Sequence, residues 1–130
     1  MLEEGVKEAQ FWDAAEDSDD VDCRLCPWNC HIKPGNTGIC KVRENRDGTL
    51  YSINYGELTS VAMDPIEKKP LYHFRPGTQI MSVGSFGCNL KCSYCQNWRI
   101  SQQRPNAQHM SPEDLAQRSK QRASEGNIDI

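Results

Sequence analysis

The seven cysteines of this 130-residue chain fall into two groups, Cys23, Cys26, Cys30 and Cys40, then Cys88, Cys92 and Cys95. Thiols at such short spacings draw the backbone into loops around a shared partner, which limits the fold more than any other feature here. An odd number leaves one thiol over in a disulfide framework, and the opening Met-Leu-Glu-Glu-Gly lacks the basic and apolar regions of an export signal. The chain is therefore expected to be cytoplasmic, with its thiols serving as metal ligands. No run approaches the roughly 20 apolar residues of a membrane span, and the length allows one small domain at most. Four thiolates close a tetrahedral zinc site or hold an iron-sulfur cluster, whereas three leave one position open.

Three stretches follow from composition and punctuation. Residues 1–22 carry nine acids against the single base Lys7, while the whole chain carries a net charge of only −3. Like-charge repulsion and the scarcity of apolar residues from Glu16 to Asp22 predict a flexible acidic tail, with Phe11 and Trp12 anchoring at most a short helix. Residues 23–77 form a four-cysteine and hairpin region: Pro27, Pro34, Gly35 and Gly38 break any periodicity, and Asp47-Gly48 joins Cys40–Asn45 to Thr49–Tyr55 as a hairpin. Leu58–Met63 adds a third strand, and the segment from Pro65 to Phe74 is an ordered connector. In residues 78–130, a strand over Thr78–Val83 delivers the chain into the three-cysteine loop. Ser111-Pro112 then starts a helix that runs to Glu125 before Gly126, and Ile128–Ile130 opens another strand.

The loop GCNLKCSYCQN spaces its thiols so that one short segment can wrap three corners of a cubane. A four-iron, four-sulfur cluster held this way keeps one iron free for a small chelating ligand. The rival reading is a zinc knuckle with His109 or His73 as fourth ligand; a ferredoxin pattern would need a fourth cysteine followed by proline, and none follows. Cys23, Cys26, Cys30 and Cys40 suit a structural zinc or a second cluster, with His31 a bystander because four thiols complete the set. Arg24, Lys33, Lys41, Arg43 and Arg46 are scattered through an acidic chain, so a nucleic-acid face has little support. Lys68, Lys69 and His73 read as a solvated face.

Cys88, Cys92 and Cys95, with aromatic Tyr94 before the last thiol and a strand before the first, resemble the cluster motif of the radical S-adenosylmethionine (SAM) superfamily. CRLCPWNC, VREN, YGELTSVAMDPIEKKPLYHFRPG and GCNLKCSYCQNW together resemble its AMMECR1/Memo-associated group, related to the pyruvate formate-lyase activating enzymes, over roughly residues 23–130. The resemblance implies an α+β chain: a small metal-binding and hairpin region, then the first β/α unit of a partial (β/α)6 TIM-like barrel, left incomplete. It implies that Cys88, Cys92 and Cys95 ligate three irons of a [4Fe-4S] cluster, that S-adenosyl-L-methionine chelates the fourth, and that Tyr94 lies along the adenine. Implied partners are a one-electron donor such as flavodoxin or ferredoxin and, by analogy with activating enzymes, a protein substrate. The implied chemistry is reductive cleavage of S-adenosylmethionine for hydrogen-atom abstraction, an oxidoreductase or activase-like role. The Gly-Gly-Glu-type segment and later strands of such barrels are missing. The chain is thus expected to be an N-terminal portion that can hold a cluster without being active alone. Phe86 and Trp98 are better suited to core packing than to shielding the loop. The competing function is a non-catalytic metal-binding module for protein or nucleic-acid interaction.

Overall fold

The computed structural model describes residues 3–126, mostly as short antiparallel strands with few helices. The first strands are β1 (Lys7–Glu8), β2 (Trp12–Ala14), β3 (Val21–Cys23) and β4 (His31–Ile32), followed by β5 (Arg43–Arg46) and β6 (Thr49–Ser52). They form two three-stranded sheets, in the orders β1-β6-β5 and β2-β3-β4. Asp47 and Gly48 both take positive φ, 50° and 84°, which gives the two-residue turn a twist matching that of β5 and β6 and sets Arg46 opposite Thr49. The predicted hairpin is present, with shorter strands than its punctuation suggests.

Ala9, Val21, Cys23, Ile32 and Leu50 form one buried cluster, with Trp12 and Cys30 packed against it. The acidic segment is therefore built into the fold rather than left as a flexible tail, and Trp12 lies in a strand rather than a helix. Two causes offset the repulsion that its composition predicts. Ala9 and Val21 place apolar surface in the core. Bases from beyond the segment meet its carboxylates: Arg24 reaches Asp13 at 3.0 Å and Asp22 at 3.6 Å, and His31 reaches Asp22 at 2.8 Å and Asp20 at 3.0 Å. Fully buried Asn45 locks the join, its Nδ2 donating to the carbonyls of Asp19 (2.7 Å) and Ile32 (2.8 Å) while its Oδ1 accepts from the Gly48 N–H.

Beyond this half come β7 (Glu57–Leu58), β8 (Ser60–Pro65), a 3-10 turn over Ile66–Lys68, and β9 (Gln79–Gly84). The strand expected over Leu58–Met63 does not extend the β5–β6 hairpin; β8 pairs antiparallel with β9, from Ser60 opposite Gly84 to Pro65 opposite Gln79. The connector between them buries Ile66 and leaves Leu71, Tyr72 and Phe74 exposed. After the cysteine loop come α1 (Trp98–Ser101), β10 (Gln108–His109), paired with β7, and α2 (Pro112–Ser124).

The second helix keeps to its sequence signals: the Ser111 hydroxyl accepts from the Asp114 N–H at 3.1 Å, Pro112 occupies the first turn, and Gly126 takes a φ of 72° just past the end. No closed barrel is present among the described residues, where the sheet partner of β9 is antiparallel β8. The strand expected at residues 128–130 lies outside the described residues.

Candidate metal centre

The first thiol group is positioned by the β2-β3-β4 sheet. Cys23 ends β3, opposite Trp12, and its backbone N–H donates to the Cys30 carbonyl at 2.9 Å. The turn between Cys26 and Cys30 is closed by the Asn29 N–H on the Cys26 carbonyl, with Asn29 at a φ of 44°. Cys40 returns through a turn in which the Lys41 N–H meets the Gly38 carbonyl at 2.9 Å. All four thiols line one cavity of about 220 Å³, and Phe86 and Cys88 of the second group's approach line the same cavity. Arg43 adds a positive charge at its edge, its Nη1 3.8 Å from the Cys23 sulfur.

The second group hangs on β9. Phe86 is buried and Gly87, at a φ of 95°, brings the loop against the first region. A Cβ there would stand 2.5 Å from a Val42 methyl and 3.1 Å from the Cys40 carbonyl oxygen, so only glycine fits this approach. The Gly87 N–H donates to Ile100, at 2.8 Å, which ties the loop's start to α1. Cys88 is partly buried and its sulfur accepts from the Leu90 N–H at 3.4 Å. Cys95 is partly buried with its sulfur 3.4 Å from the Ser101 hydroxyl, whereas Cys92 is exposed and Tyr94 is 85% exposed.

Among the described residues, no three Cys, His, Asp or Glu side chains stand in an arrangement that could already hold a metal ion. The donor chemistry nonetheless fits a thiolate-held group. Three soft ligands lie on one eight-residue stretch, its middle thiol free to turn inward, and a backbone N–H already points at the Cys88 sulfur.

The histidines stand apart from this set. His109 Nδ1 lies 2.9 Å from Glu57 Oε1 across β7 and β10, and His73 is exposed. His31 is held by Asp22 and then Asp20, whose hydrogen bonds raise its pKa above the ordinary histidine value. Phe86 packs inward as its type suggests, but Trp98 is nearly half exposed.

Sequence reasoning did not find the contacts that fix the loop's backbone. The Trp28 indole N–H donates to the Asn89 carbonyl at 2.8 Å, Asn54 Nδ2 to the Phe86 carbonyl at 2.9 Å, and Gln102 Nε2 to the Leu90 carbonyl at 2.7 Å. A tryptophan inside a cysteine turn was the available signal, since an indole N–H seeks an acceptor.

Residues 82–130, which include the three-cysteine loop, match the family model of the Radical SAM superfamily. Proteins of that superfamily generally bind a four-iron, four-sulfur cluster and S-adenosylmethionine. An uncharacterized protein of Methanocaldococcus jannaschii, MJ0808, is 46% identical over 115 residues, which cover 86% of this chain and 34% of that protein. The chain thus spans about a third of the length of this curated relative, and a stretch of that extent takes in both cysteine groups. No solved structure matches. No helix among the described residues is long and apolar enough to cross a membrane.

Proposed function

We propose that this chain is the cluster-bearing part of a radical SAM enzyme of the activating-enzyme type. The observation that carries the reading is a loop of three thiols after strand β9, inside the segment that matches the superfamily. Cys88, Cys92 and Cys95 would hold three irons of a [4Fe-4S] cluster, leaving the fourth for the amino and carboxylate groups of S-adenosylmethionine, with Tyr94 along the adenine. Bound there, such a cluster supplies one-electron reductive cleavage of S-adenosylmethionine for hydrogen-atom abstraction. The chain's own part is to order Cys88 through the loop's entry and to leave Cys92 and Tyr94 free to close over what binds. A flavodoxin or ferredoxin would provide the electron, and a protein is the substrate class that the activating-enzyme resemblance suggests.

The thiol-lined cavity favours a second metal as well. Cys23, Cys26, Cys30 and Cys40 would hold zinc or a second cluster, adding metal-binding free energy to a small core. If zinc fills both thiol groups, the protein is instead a non-catalytic metal-binding module for protein or nucleic-acid partners.

Anaerobic reconstitution followed by metal and acid-labile sulfide analysis separates the two. The expected result is about four irons and four sulfides at the three-cysteine loop, lost in Cys92→Ala. Zinc in both groups with no iron overturns the radical-enzyme reading.

A further inference from the structure

We propose that the N-terminal four-cysteine region clamps the first limb of the three-cysteine loop, with Trp28 and Asn54 acting as positioning residues for Cys88. The inference deepens the radical-enzyme reading and rests on it only for the identity of what the loop thiols hold.

Three carbonyls around Cys88, those of Phe86, Asn89 and Leu90, each accept a hydrogen bond from a side chain outside the loop. Two of these donors, Asn54 and Trp28, come from outside the segment that matches the superfamily. Gly87 then lets the Cys40 carbonyl and Val42 pack directly on the loop's entry. Lys41 completes the contact by donating to the Gln102 carbonyl at 3.0 Å, so the residue that holds Leu90 is itself held from the first region.

The other limb is built differently. Cys92 and Tyr94 are exposed, the backbone hydrogen bond there is internal, from the Cys95 N–H to the Cys92 carbonyl at 3.3 Å, and the contact of the Cys95 sulfur with the Ser101 hydroxyl comes from α1 rather than from the four-cysteine region. Ordering one of three ligands in advance removes part of the conformational entropy that closing the loop on its group costs. Because Trp28 lies between Cys26 and Cys30, whatever orders those two thiols also fixes the donor that holds Asn89.

The test uses the reduced, metal-free full chain, labelled with a limiting thiol alkylator, with the rate at each cysteine read by peptide mass spectrometry. Trp28→Phe keeps an aromatic ring and loses the N–H donor at a site more than half exposed, where the smaller ring should cost the fold little. Asn54→Ser is too short to reach the Phe86 carbonyl and loses the amide donor without adding charge beside the thiols. Each should speed alkylation of Cys88 about fivefold, the factor that one exchanged hydrogen bond sets on local opening, and leave Cys95 unchanged.

Trp12→Phe is the control. It removes an indole N–H bonded to the Ala9 carbonyl within the first region, and should leave the Cys88 rate where it was. Unchanged Cys88 rates in both loop-contact variants, or an equal rise in Trp12→Phe, overturn the clamp. After anaerobic reconstitution, Trp28→Phe should also release iron to a ferrous chelator several-fold faster. A wild-type chain that takes up zinc and no iron overturns the radical-enzyme reading, while the alkylation rates still decide the clamp.

Discussion

The two cysteine groups sit in regions built on different principles. Around the first, Val21, Ile32 and Leu50 are wholly or almost wholly buried, and two small sheets share one core. Around the second, Ile66 and Phe86 are the buried apolar side chains, α2 buries none, and Val61, Val83 and Tyr94 face outward. Local stability follows buried apolar contact, so the first region is the stable one and the second is the one able to move. The contrast teaches where the order of the three-cysteine loop comes from. A loop with so little core of its own takes its fixed points from its neighbour, through Trp28, Asn54 and the close approach at Gly87.

The sharpest way to break this contrast is to cut both regions at an apolar side chain. Leu50→Ala should cost about 2–5 kcal/mol, since it opens a cavity at a fully buried position. Val83→Ala, on a strand residue that is 44% exposed, should change stability by about 0.5 kcal/mol or less. Chemical denaturation of the two variants measures the difference, and equal losses would mean that the regions share one core after all.

A smaller effect is expected at Asn45, which binds the acidic segment through its side chain alone. Asn45→Ala leaves the buried carbonyl of Ile32 without that donor and frees the Asp19 carbonyl and Gly48 N–H, which should cost about 1–3 kcal/mol. Limited proteolysis should then cut between Glu16 and Asp20 in the variant before it cuts the parent. If the parent is cut there equally fast, the segment behaves as the tail its composition suggests.

The features legible in the sequence are those decided by neighbours along the chain. Asp47-Gly48 marks its turn because both residues accept positive φ, and Ser111-Pro112 marks its helix because cap and first turn lie together. Both thiol groups are visible for the same reason, since their spacing is set by neighbours along the chain. What was illegible depends on partners far away. Composition makes residues 1–22 look unfolded, yet Arg24, His31 and Asn45 neutralise or bind them.

Pairing was illegible as well. The residues that became β8 are strand-like in any register, and only the distant β9 decides where they go. The meeting of Cys88 with the four thiols of the first group at one cavity rests on contacts such as Trp28 with Asn89, 61 positions apart, which no local pattern announces.

The smallest effect separates the regions by pH. At the end of β8, Asp64 is nearly buried and lies 2.8 Å from the Lys68 ammonium and 3.6 Å from that of Lys69. The Lys68 hydrogen bond, with the nearby Lys69 charge, holds its pKa below the ordinary 3.8. Glu67, accepting the Gly77 N–H at 2.6 Å, is lowered from 4.5 for a similar reason.

A carboxylate with a depressed folded-state pKa stabilises the fold fully above its unfolded value, and that stability is lost as pH falls through the folded value. The β8–β9 hairpin should therefore loosen on acidification below about pH 4, a window set by these two groups. Hydrogen exchange at β8 and β9 as pH is lowered reads this directly. Asp64→Asn should weaken the hairpin slightly at neutral pH and flatten its acid dependence, while β5 and β6 keep theirs. An acid dependence in the variant that runs parallel to the parent's would remove Asp64 as its source and leave Glu67 to carry it.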